Sequence, residues 1–168
     1  HSFRKFAELL PADGALIINA DTPKYEMVAE NLPCKVITYG LEHDAEYSAS
    51  DIIYDEFGHP TFHVLHNGED IGTCSLKVPG IHNVSNALAS IAAGRLLGLD
   101  NEVIFAGLKD FGGTDRRFQY KGKVGEVTII DDYAHHPTEI EATLHAAHNY
   151  PHKKIWCVFQ PHTYTRTK

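Results

Sequence analysis

The sequence predicts an α/β fold that combines a parallel sheet, a small antiparallel meander and a second strand–loop–helix unit. First, the apolar runs Ala15–Asn19 and Lys35–Gly40 flank a helical segment, and this spacing is typical of parallel strands joined by a crossover helix. Second, three short runs with partial alternation lie between Ala45 and Val78, separated by turn residues. Third, the β-branched run 127–130 precedes a polar loop and a helical pattern.

Four helices are expected in the first part of the chain. They are the end of a helix over 3–10, a helix from 22 to about 32, a long helix that follows 79–86 and runs to about 97, and a second helix over about 101–108. Thr22 is a plausible cap, and Pro23 suits the first helical position. Asn19 and Asp21 follow the first strand and could face a ligand, but turn formation is the preferred interpretation.

The glycine-containing segment Phe111–Phe118 is interpreted as a boundary between two domains, 1–115 and 116–168. Two strands around Gly125 follow it, at 119–123 and 126–130. A helix to about residue 150 and a buried strand at Ile155–Phe159 complete the prediction.

Polar residues follow the strand that ends at Ile130. They are Asp131, Asp132, Tyr133, His135 and His136. Ligands of open α/β sheets bind at the carboxyl ends of strands, beside helix N-termini. The alternative is that the two carboxylates merely end the strand and that His136 caps the helix. Thr138 and Glu141 have capping-box spacing, and Pro137 suits the start of the helix.

The predicted strand 155–159 also ends in polar residues, among them His162 and Arg166. Neighbouring parallel strands would bring these two residues close to Asp132, Tyr133 and His135. A mixture of His, Arg and Tyr suits anionic substrates rich in hydroxyl groups.

Two further pairs have nucleotide-binding chemistry. Asn83 and Asn86 are three residues apart, so both lie on one face of the first turn of the long helix. An amide offers the donor and the acceptor that adenine requires, although helix capping explains the pair equally well. Arg116 and Arg117 lie at the predicted domain boundary, where a guanidinium can bind a phosphate; a surface arginine pair is the alternative.

Composition excludes several classes of protein. The formal charge of −7 argues against a nucleic-acid surface, and neither a transmembrane run nor a signal peptide is found. Three widely spaced cysteines indicate a reducing cytoplasm rather than a disulfide framework or a zinc ribbon.

The chain has no initiator Met, so we expect a piece of a longer protein. His145, His148 and His152 share one helix face, but an exposed face is preferred over a metal site.

Four short sequence motifs together resemble those of the Mur ligases, in the branch that adds the first amino acid of the peptidoglycan stem peptide. They are Gly80-Ile81-His82-Asn83 with Asn86, Arg116-Arg117-Phe118, Asp131-Asp132-Tyr133-Ala134-His135-His136-Pro137-Thr138-Glu139 and Phe159-Gln160-Pro161-His162. The resemblance covers essentially the whole chain. It implies the later part of a central ATPase domain followed by the start of a Rossmann-like C-terminal domain.

The resemblance also implies a reaction. ATP phosphorylates the carboxylate of UDP-N-acetylmuramate, the amine of L-alanine attacks the acyl phosphate, and Mg²⁺ neutralises the phosphates. For the nucleotide, the resemblance implies that Asn83 and Asn86 bind adenine with His82 beside them, that Arg116 binds the phosphates and that Asp132 binds the ribose. For the other substrates, it implies that Tyr133 and His135 contact the muramoyl and alanine end. His162 and Arg166 are implied to bind the carboxylate or phosphate groups of the incoming substrates. Among these residues, His135 and Arg166 are the candidate catalytic pair.

Two departures from the family pattern qualify this prediction. No phosphate-binding Gly-x-x-Gly-Lys-Thr loop or magnesium-binding Glu is present, so we expect the chain alone to be inactive and the activity to belong to its parent. Thr163 stands where some members have Arg, which leaves Arg166 as the nearby guanidinium.

Three alternatives stay open on the sequence. They are a recycling ligase that attaches a preformed tripeptide to the same UDP-sugar, a non-catalytic nucleotide-binding module and a metal-binding protein. The sequence does not determine the oligomeric state.

Overall fold

The computed structural model describes residues 2–160, which form five helices and seven strands. In chain order they are α1 (Ser2–Ala7), β1 (Ala15–Asn19), α2 (Glu26–Ala29), β2 (Lys35–Tyr39), β3 (Tyr47–Tyr54), β4 (Pro60–His66), β5 (Glu69–Ser75), α3 (Ile81–Leu96), α4 (Asn101–Asp110), β6 (Gln119–Val124), β7 (Val127–Asp131) and α5 (Pro137–Asn149). No helix within this range has the length and apolar character needed to cross a bilayer.

The larger sheet has the strand order β1-β2-β3-β4-β5. Strands β1 and β2 are parallel and pair along their whole length, from Ala15 with Lys35 to Asn19 with Tyr39. Strands β3, β4 and β5 form the antiparallel meander. The two parts join through one parallel pair, Tyr39 with Tyr47. The predicted α/β class, the parallel pair and the meander are therefore confirmed, and all five strands belong to one sheet.

Helix α3 covers this sheet and supplies much of the core. Val84, Leu88 and Ile91 are fully buried and belong to the same hydrophobic cluster as Phe62 and Val64 of β4. Each such side chain contributes about 1.5–3 kcal/mol when it is removed from water. The predicted apolar face of the long helix is thus the face that packs on the sheet.

Helix α2 is much shorter than predicted, because its two flanks turn away from helical geometry. Lys24 has φ 64° and Asn31 has φ 53°, so neither residue can continue a right-handed helix. The prediction of a cap at Thr22 is wrong: the residue before α2 is Tyr25, and its side chain makes no cap hydrogen bond.

Asp21 instead organises the neighbouring loop. Its carboxylate accepts hydrogen bonds from the backbone N–H groups of Leu41, Glu42 and His43, at 2.7–3.0 Å. Asn19 accepts a hydrogen bond from the N–H of Asp21 at 2.8 Å. Both side chains make turn contacts, as the preferred interpretation expects.

The second unit is an antiparallel hairpin followed by α5. Strands β6 and β7 pair around Gly125, whose φ of 59° suits the turn. The predicted strands and helix are confirmed, but the capping residue is not Thr138. His136 Nδ1 accepts a hydrogen bond from the Thr138 N–H at 3.4 Å, and Glu139 completes the capping box.

The predicted strand at 155–159 does not form. Backbone groups of a strand need a neighbouring strand, and within residues 2–160 β7 pairs only with β6. The apolar side chains consequently stay in solvent: Trp156 is 77% exposed and Val158 is 96% exposed. The expected convergence of two strand ends is not seen, and His162, Thr163 and Arg166 lie outside the described residues.

Candidate functional site

Polar side chains gather where β7 ends and α5 begins. We name them the β7–α5 cluster: Arg116, Asp132, Tyr133, His135 and Glu139. The Arg116 guanidinium lies 4.6 Å from the centre of the Tyr133 ring. The Tyr133 and His135 rings meet edge to face, with centres 5.1 Å apart. The structure therefore brings together four of the predicted site residues, Arg116 from the joint and Asp132, Tyr133 and His135 from the segment after β7.

Asp132 is the structural centre of the cluster. One carboxylate oxygen accepts hydrogen bonds from the Phe118 N–H at 2.8 Å and the Thr143 hydroxyl at 3.1 Å. The other accepts the Ala134 N–H at 2.7 Å. Asp132 thus ties the joint, the loop and α5 together. Two carboxylate oxygens have about four lone-pair positions, and donors within residues 2–160 use three of them, so this part of the chain leaves one acceptor position for a ligand.

Glu139 fixes the loop that carries His135. Its carboxylate accepts hydrogen bonds from the backbone N–H groups of His135 at 3.2 Å and His136 at 3.4 Å. The hydrogen bond from the His135 backbone lowers the pKa of Glu139, and this effect together with the His136 N–H and the Arg117 charge outweighs partial burial. The carboxylate therefore stays ionised at the N-terminus of α5, where the helix dipole favours a negative charge.

The tautomer of His135 follows from its contacts. Nδ1 lies 3.0 Å from the carbonyl oxygen of Tyr133, and a carbonyl oxygen can only accept. Nδ1 therefore carries a hydrogen, and in the neutral ring Nε2 is the acceptor. An open cavity of about 700 Å³ is lined by His135, His136, Pro137 and Glu139. The imidazole can accept a proton beside this cavity.

Arg117 also contacts the β7–α5 cluster, although the sequence predicts a site role for Arg116 alone. Its Nη1 lies 3.6 Å from Glu139 Oε1, whereas the Nε of Arg116 lies 3.8 Å from Asp131. Arg117 also lines a second cavity, of about 370 Å³, between the joint and the meander. The φ of 60° at Arg116 sends the two side chains to different acids, and the sequence gives no signal of that angle. Glu139, in contrast, could have been found from its three-residue spacing after His136.

Asn83 and Asn86 border a third cavity, of about 280 Å³, with mostly apolar walls. Its walls include Leu76, Val78, Leu108 and Phe111. The Asn83 amide N–H donates to the Pro79 carbonyl at 2.8 Å, and the Asn86 amide N–H donates to Asn83 Oδ1 at 3.3 Å. The capping alternative is wrong, because the N-cap of α3 is Gly80 and no side chain makes a cap hydrogen bond there. The Asn83 amide is instead partly used by the Pro79 carbonyl. With respect to the described residues, Asn86 keeps its side-chain carbonyl oxygen and one N–H for a flat polar ligand.

His82 lies between the Asn pair and the joint. Within the described residues its Nδ1 is buried without a hydrogen-bond partner. Burial lowers the pKa of His82; the charge of Asp132 opposes this effect and that of Arg117 adds to it. The ring packs so closely on Gly80 that a Cβ there would lie 2.8 Å from it. His82 is therefore a neutral ring at pH 7.

A metal site is a separate question. Among residues 2–160, no three or more His, Cys, Asp or Glu side chains are grouped to hold an ion. His148 and His152 rings do meet, with centres 5.6 Å apart, but no third ligand of this range joins them. Within this range no set of side chains is therefore arranged to hold a metal ion by itself.

Two family models match the chain. The Mur ligase middle domain matches residues 1–94, and the Mur ligase glutamate ligase domain matches residues 116–168. The UDP-N-acetylmuramate–L-alanine ligase of Lachnospira eligens is 57% identical over the whole chain, and that of Clostridium novyi is 49% identical over 99% of it. The chain spans about 37% of the length of the first of these relatives and 36% of the second.

Solved structures agree with the family models. The UDP-N-acetylmuramate-alanine ligase of Thermotoga maritima is 29% identical, with a TM-score of 0.67 over 87% of this chain and 40% of its own. A murein peptide ligase of Psychrobacter arcticus is 30% identical, with a TM-score of 0.63 over 86% of this chain and 30% of its own. Because a family model covers more than half of the sequence, the chain belongs to the Mur ligase family.

Proposed function

We propose that the protein containing this chain joins L-alanine to the carboxylate of UDP-N-acetylmuramate, using ATP to activate that carboxylate. Relatives with this activity in their names match 99–100% of the chain at 47–57% identity. The structural observation that carries the proposal is the β7–α5 cluster. It places a guanidinium, a phenol ring and an imidazole side by side, and the imidazole uses Nδ1 for the Tyr133 carbonyl, which makes Nε2 its acceptor nitrogen.

The nucleotide would occupy the side of the joint that faces α3. Asn86, with Asn83, is suited to bind the adenine edge in the apolar cavity, and His82 lies at the same helix end. Arg116 is proposed to bind the phosphates and Asp132 to offer its remaining acceptor position to the ribose. Under this proposal residues 1–115 belong to the central ATP-binding domain and 116–168 to the C-terminal domain.

The amino acid would bind beside Tyr133 and His135. The nitrogen lone pair of L-alanine attacks the acyl carbon, the bond from that carbon to phosphate breaks, and the proton lost by the amine passes to Nε2 of His135. Charge and positioning supply most of the rate enhancement in such transfers. His162 and Arg166 stay predicted partners of the substrate anions.

Mg²⁺ is assigned to the whole protein rather than to these residues. Magnesium in phosphoryl-transfer sites is held largely by substrate phosphates with one or two carboxylates. Residues 2–160 offer no grouped ligands, so none of the roles assigned here to a residue of this range is metal binding.

A second candidate is the attachment of a preformed tripeptide to the same UDP-sugar. The similarity to the murein peptide ligase of Psychrobacter arcticus favours it, since that enzyme is about as similar as the alanine ligase of Thermotoga maritima. The curated relatives at higher identity favour alanine as the acceptor.

The test is phosphate release by the full-length protein from ATP and UDP-N-acetylmuramate, with L-alanine or with the tripeptide as acceptor. We expect alanine-dependent turnover, and a loss of about 10²–10⁴-fold in the His135→Ala variant. His145→Ala changes an exposed histidine of α5, the helix that follows His135, and should leave turnover unchanged. Turnover with the tripeptide alone would move the protein to the second candidate. ATP binding without turnover would indicate a non-catalytic module.

A further inference from the structure

The turn between β3 and β4, residues 55–59, is a rigid structure. The Asp55 carboxylate accepts hydrogen bonds from the backbone N–H groups of Phe57 and His59, both at 2.9 Å. The ring of His59 lies 3.0 Å from the second oxygen of the same carboxylate. Gly58, with φ 76°, donates its N–H to the Asp55 carbonyl at 3.0 Å. The backbone that carries Phe57 is therefore fixed by hydrogen bonds within the turn.

This turn contacts the second unit. The Phe57 ring packs against Tyr150, the residue that ends α5, with ring centres 5.8 Å apart. Tyr150 packs in turn against Phe118 at the joint, at 6.1 Å. A Cβ on Gly58 would be 3.4 Å from the Cβ of Asn149, so the backbone of the turn also lies close to α5. Three aromatic rings thus connect the meander, the joint and the end of α5.

The three aromatic rings are connected to the β7–α5 cluster through the backbone of Phe118. The backbone N–H of Phe118 donates to Asp132, and the other oxygen of Asp132 accepts the N–H of Ala134 in the loop that carries Tyr133 and His135. A displacement of Tyr150 would therefore move Phe118 and, through Asp132, the candidate site. Packed contacts of this kind transmit a shift because they have few alternative arrangements.

We propose that Phe57 is a positioning residue: through Tyr150 and Phe118 it sets the orientation of the β7–α5 cluster towards the cavity bordered by Asn83 and Asn86. The inference rests on the proposed function, because a nucleotide that bridges the cavity and Arg116 requires this orientation. Phe57 does not touch the substrate in this role; it acts through the aromatic contacts.

The experiment is ATP titration by calorimetry of the full-length protein, together with steady-state kinetics. In Phe57→Ala we expect Kd and KM for ATP to rise about threefold to tenfold, with kcat changed less than about twofold. Tyr54→Ala is the matched control, since Tyr54 and Phe57 are both 41% exposed and belong to the same hairpin. Phe57→Tyr keeps an aromatic ring at this position and should bind ATP with the wild-type Kd. In the double variant with Tyr150→Ala, the Kd should rise no further than in the weaker-binding single variant.

A merely structural role predicts another result. A less stable but correctly oriented protein would show a lower unfolding temperature and an unchanged Kd, and that outcome would overturn the inference. An equal Kd in Phe57→Ala and Tyr54→Ala would overturn it as well. If the wild-type protein binds ATP without ligating L-alanine, the proposed function fails, while the titration still decides the role of Phe57.

Discussion

Glu139 shows how one side chain can support both a helix end and a candidate site. It completes the capping box of α5 with His136 and holds the backbone of His135. Because these contacts favour the ionised carboxylate, the pKa of Glu139 in the folded protein lies below its usual value of 4.5. The stabilising contribution is therefore present above the pKa of the unfolded chain and is lost as pH falls through the folded-state pKa.

The Glu139→Gln variant tests this directly. At pH 7 we expect the variant to be less stable by about 0.3–1 kcal/mol, the usual size for a partly exposed carboxylate at a helix N-terminus. The difference should shrink below pH 4.5 and vanish once the wild-type carboxyl is protonated. Urea unfolding of both proteins between pH 3 and pH 7 measures it. Glu141→Gln, an exposed carboxylate of the same helix, should show no such trend.

The residue types of the candidate site could be predicted from the sequence, but not which contacts they make. Tyr133, His135 and Arg116 do meet. The separate direction of Arg117 depends on a left-handed backbone at Arg116 that no local pattern indicates. The cap at His136 is the one that the alternative interpretation of this segment names, whereas the spacing of Thr138 and Glu141 indicates a helix start two residues too late.

At the scale of elements, the packing of α3 against α4 depends on a glycine without unusual backbone angles. A Cβ on Gly94 would lie 2.8 Å from Cδ1 of Ile104 and 2.9 Å from its Cγ1. Both residues are buried, so there is little room to relax. The close approach of the two helices therefore requires a residue without a side chain at this position.

We expect Gly94→Ala to destabilise the protein by roughly 1–2 kcal/mol, since overpacking exceeds the gain in helix propensity. Gly107→Ala is the control in α4, where among residues 2–160 the added Cβ would meet nothing within 4 Å besides the neighbouring backbone of its own helix. That variant should be more stable, by up to about 1 kcal/mol. Thermal unfolding of the two variants gives the answer; a loss of stability in both, or in neither, would contradict the packing argument.

The helices and strands were predicted correctly where a short sequence pattern determines them. They were predicted wrongly where left-handed backbone angles or a distant partner strand determine them. β1 and β7 follow from short β-branched runs, and both occur close to the predicted positions. Helix α2 is interrupted by left-handed residues that periodicity cannot indicate. The segment Ile155–Phe159 has the composition of a buried strand, but a strand also needs a neighbour with free backbone groups.

At the scale of the whole molecule, burial is unevenly distributed. The hydrophobic cluster of the larger sheet extends from Ile37 to Ile104. Within residues 116–160, Ala146 is the one fully buried hydrophobic side chain. The two sheets should therefore differ strongly in local stability, because resistance to opening follows buried apolar contact.

Hydrogen exchange of this chain should show that difference. Amides of β4 and α3 are expected to exchange slowest, and those of β6, β7 and α5 at least about tenfold faster. Exchange followed by mass spectrometry resolves the two groups of peptides. Equal protection in both units would mean that they unfold as one cooperative body.

The single residue pair between β2 and β3 has a mechanical consequence. β1 and β2 share five pairs and β3 and β4 share six, whereas Tyr39 with Tyr47 is the one pair that joins the two parts. If a force pulled the two parts of the sheet apart, very few backbone hydrogen bonds between β2 and β3 would resist it. Helix α3 packs on both sides of this pair, against Ile37 of β2 and Phe62 of β4. The packing of the apolar face of α3 therefore holds the two parts of the sheet together under force, where the hydrogen bonds between β2 and β3 are too few to do so.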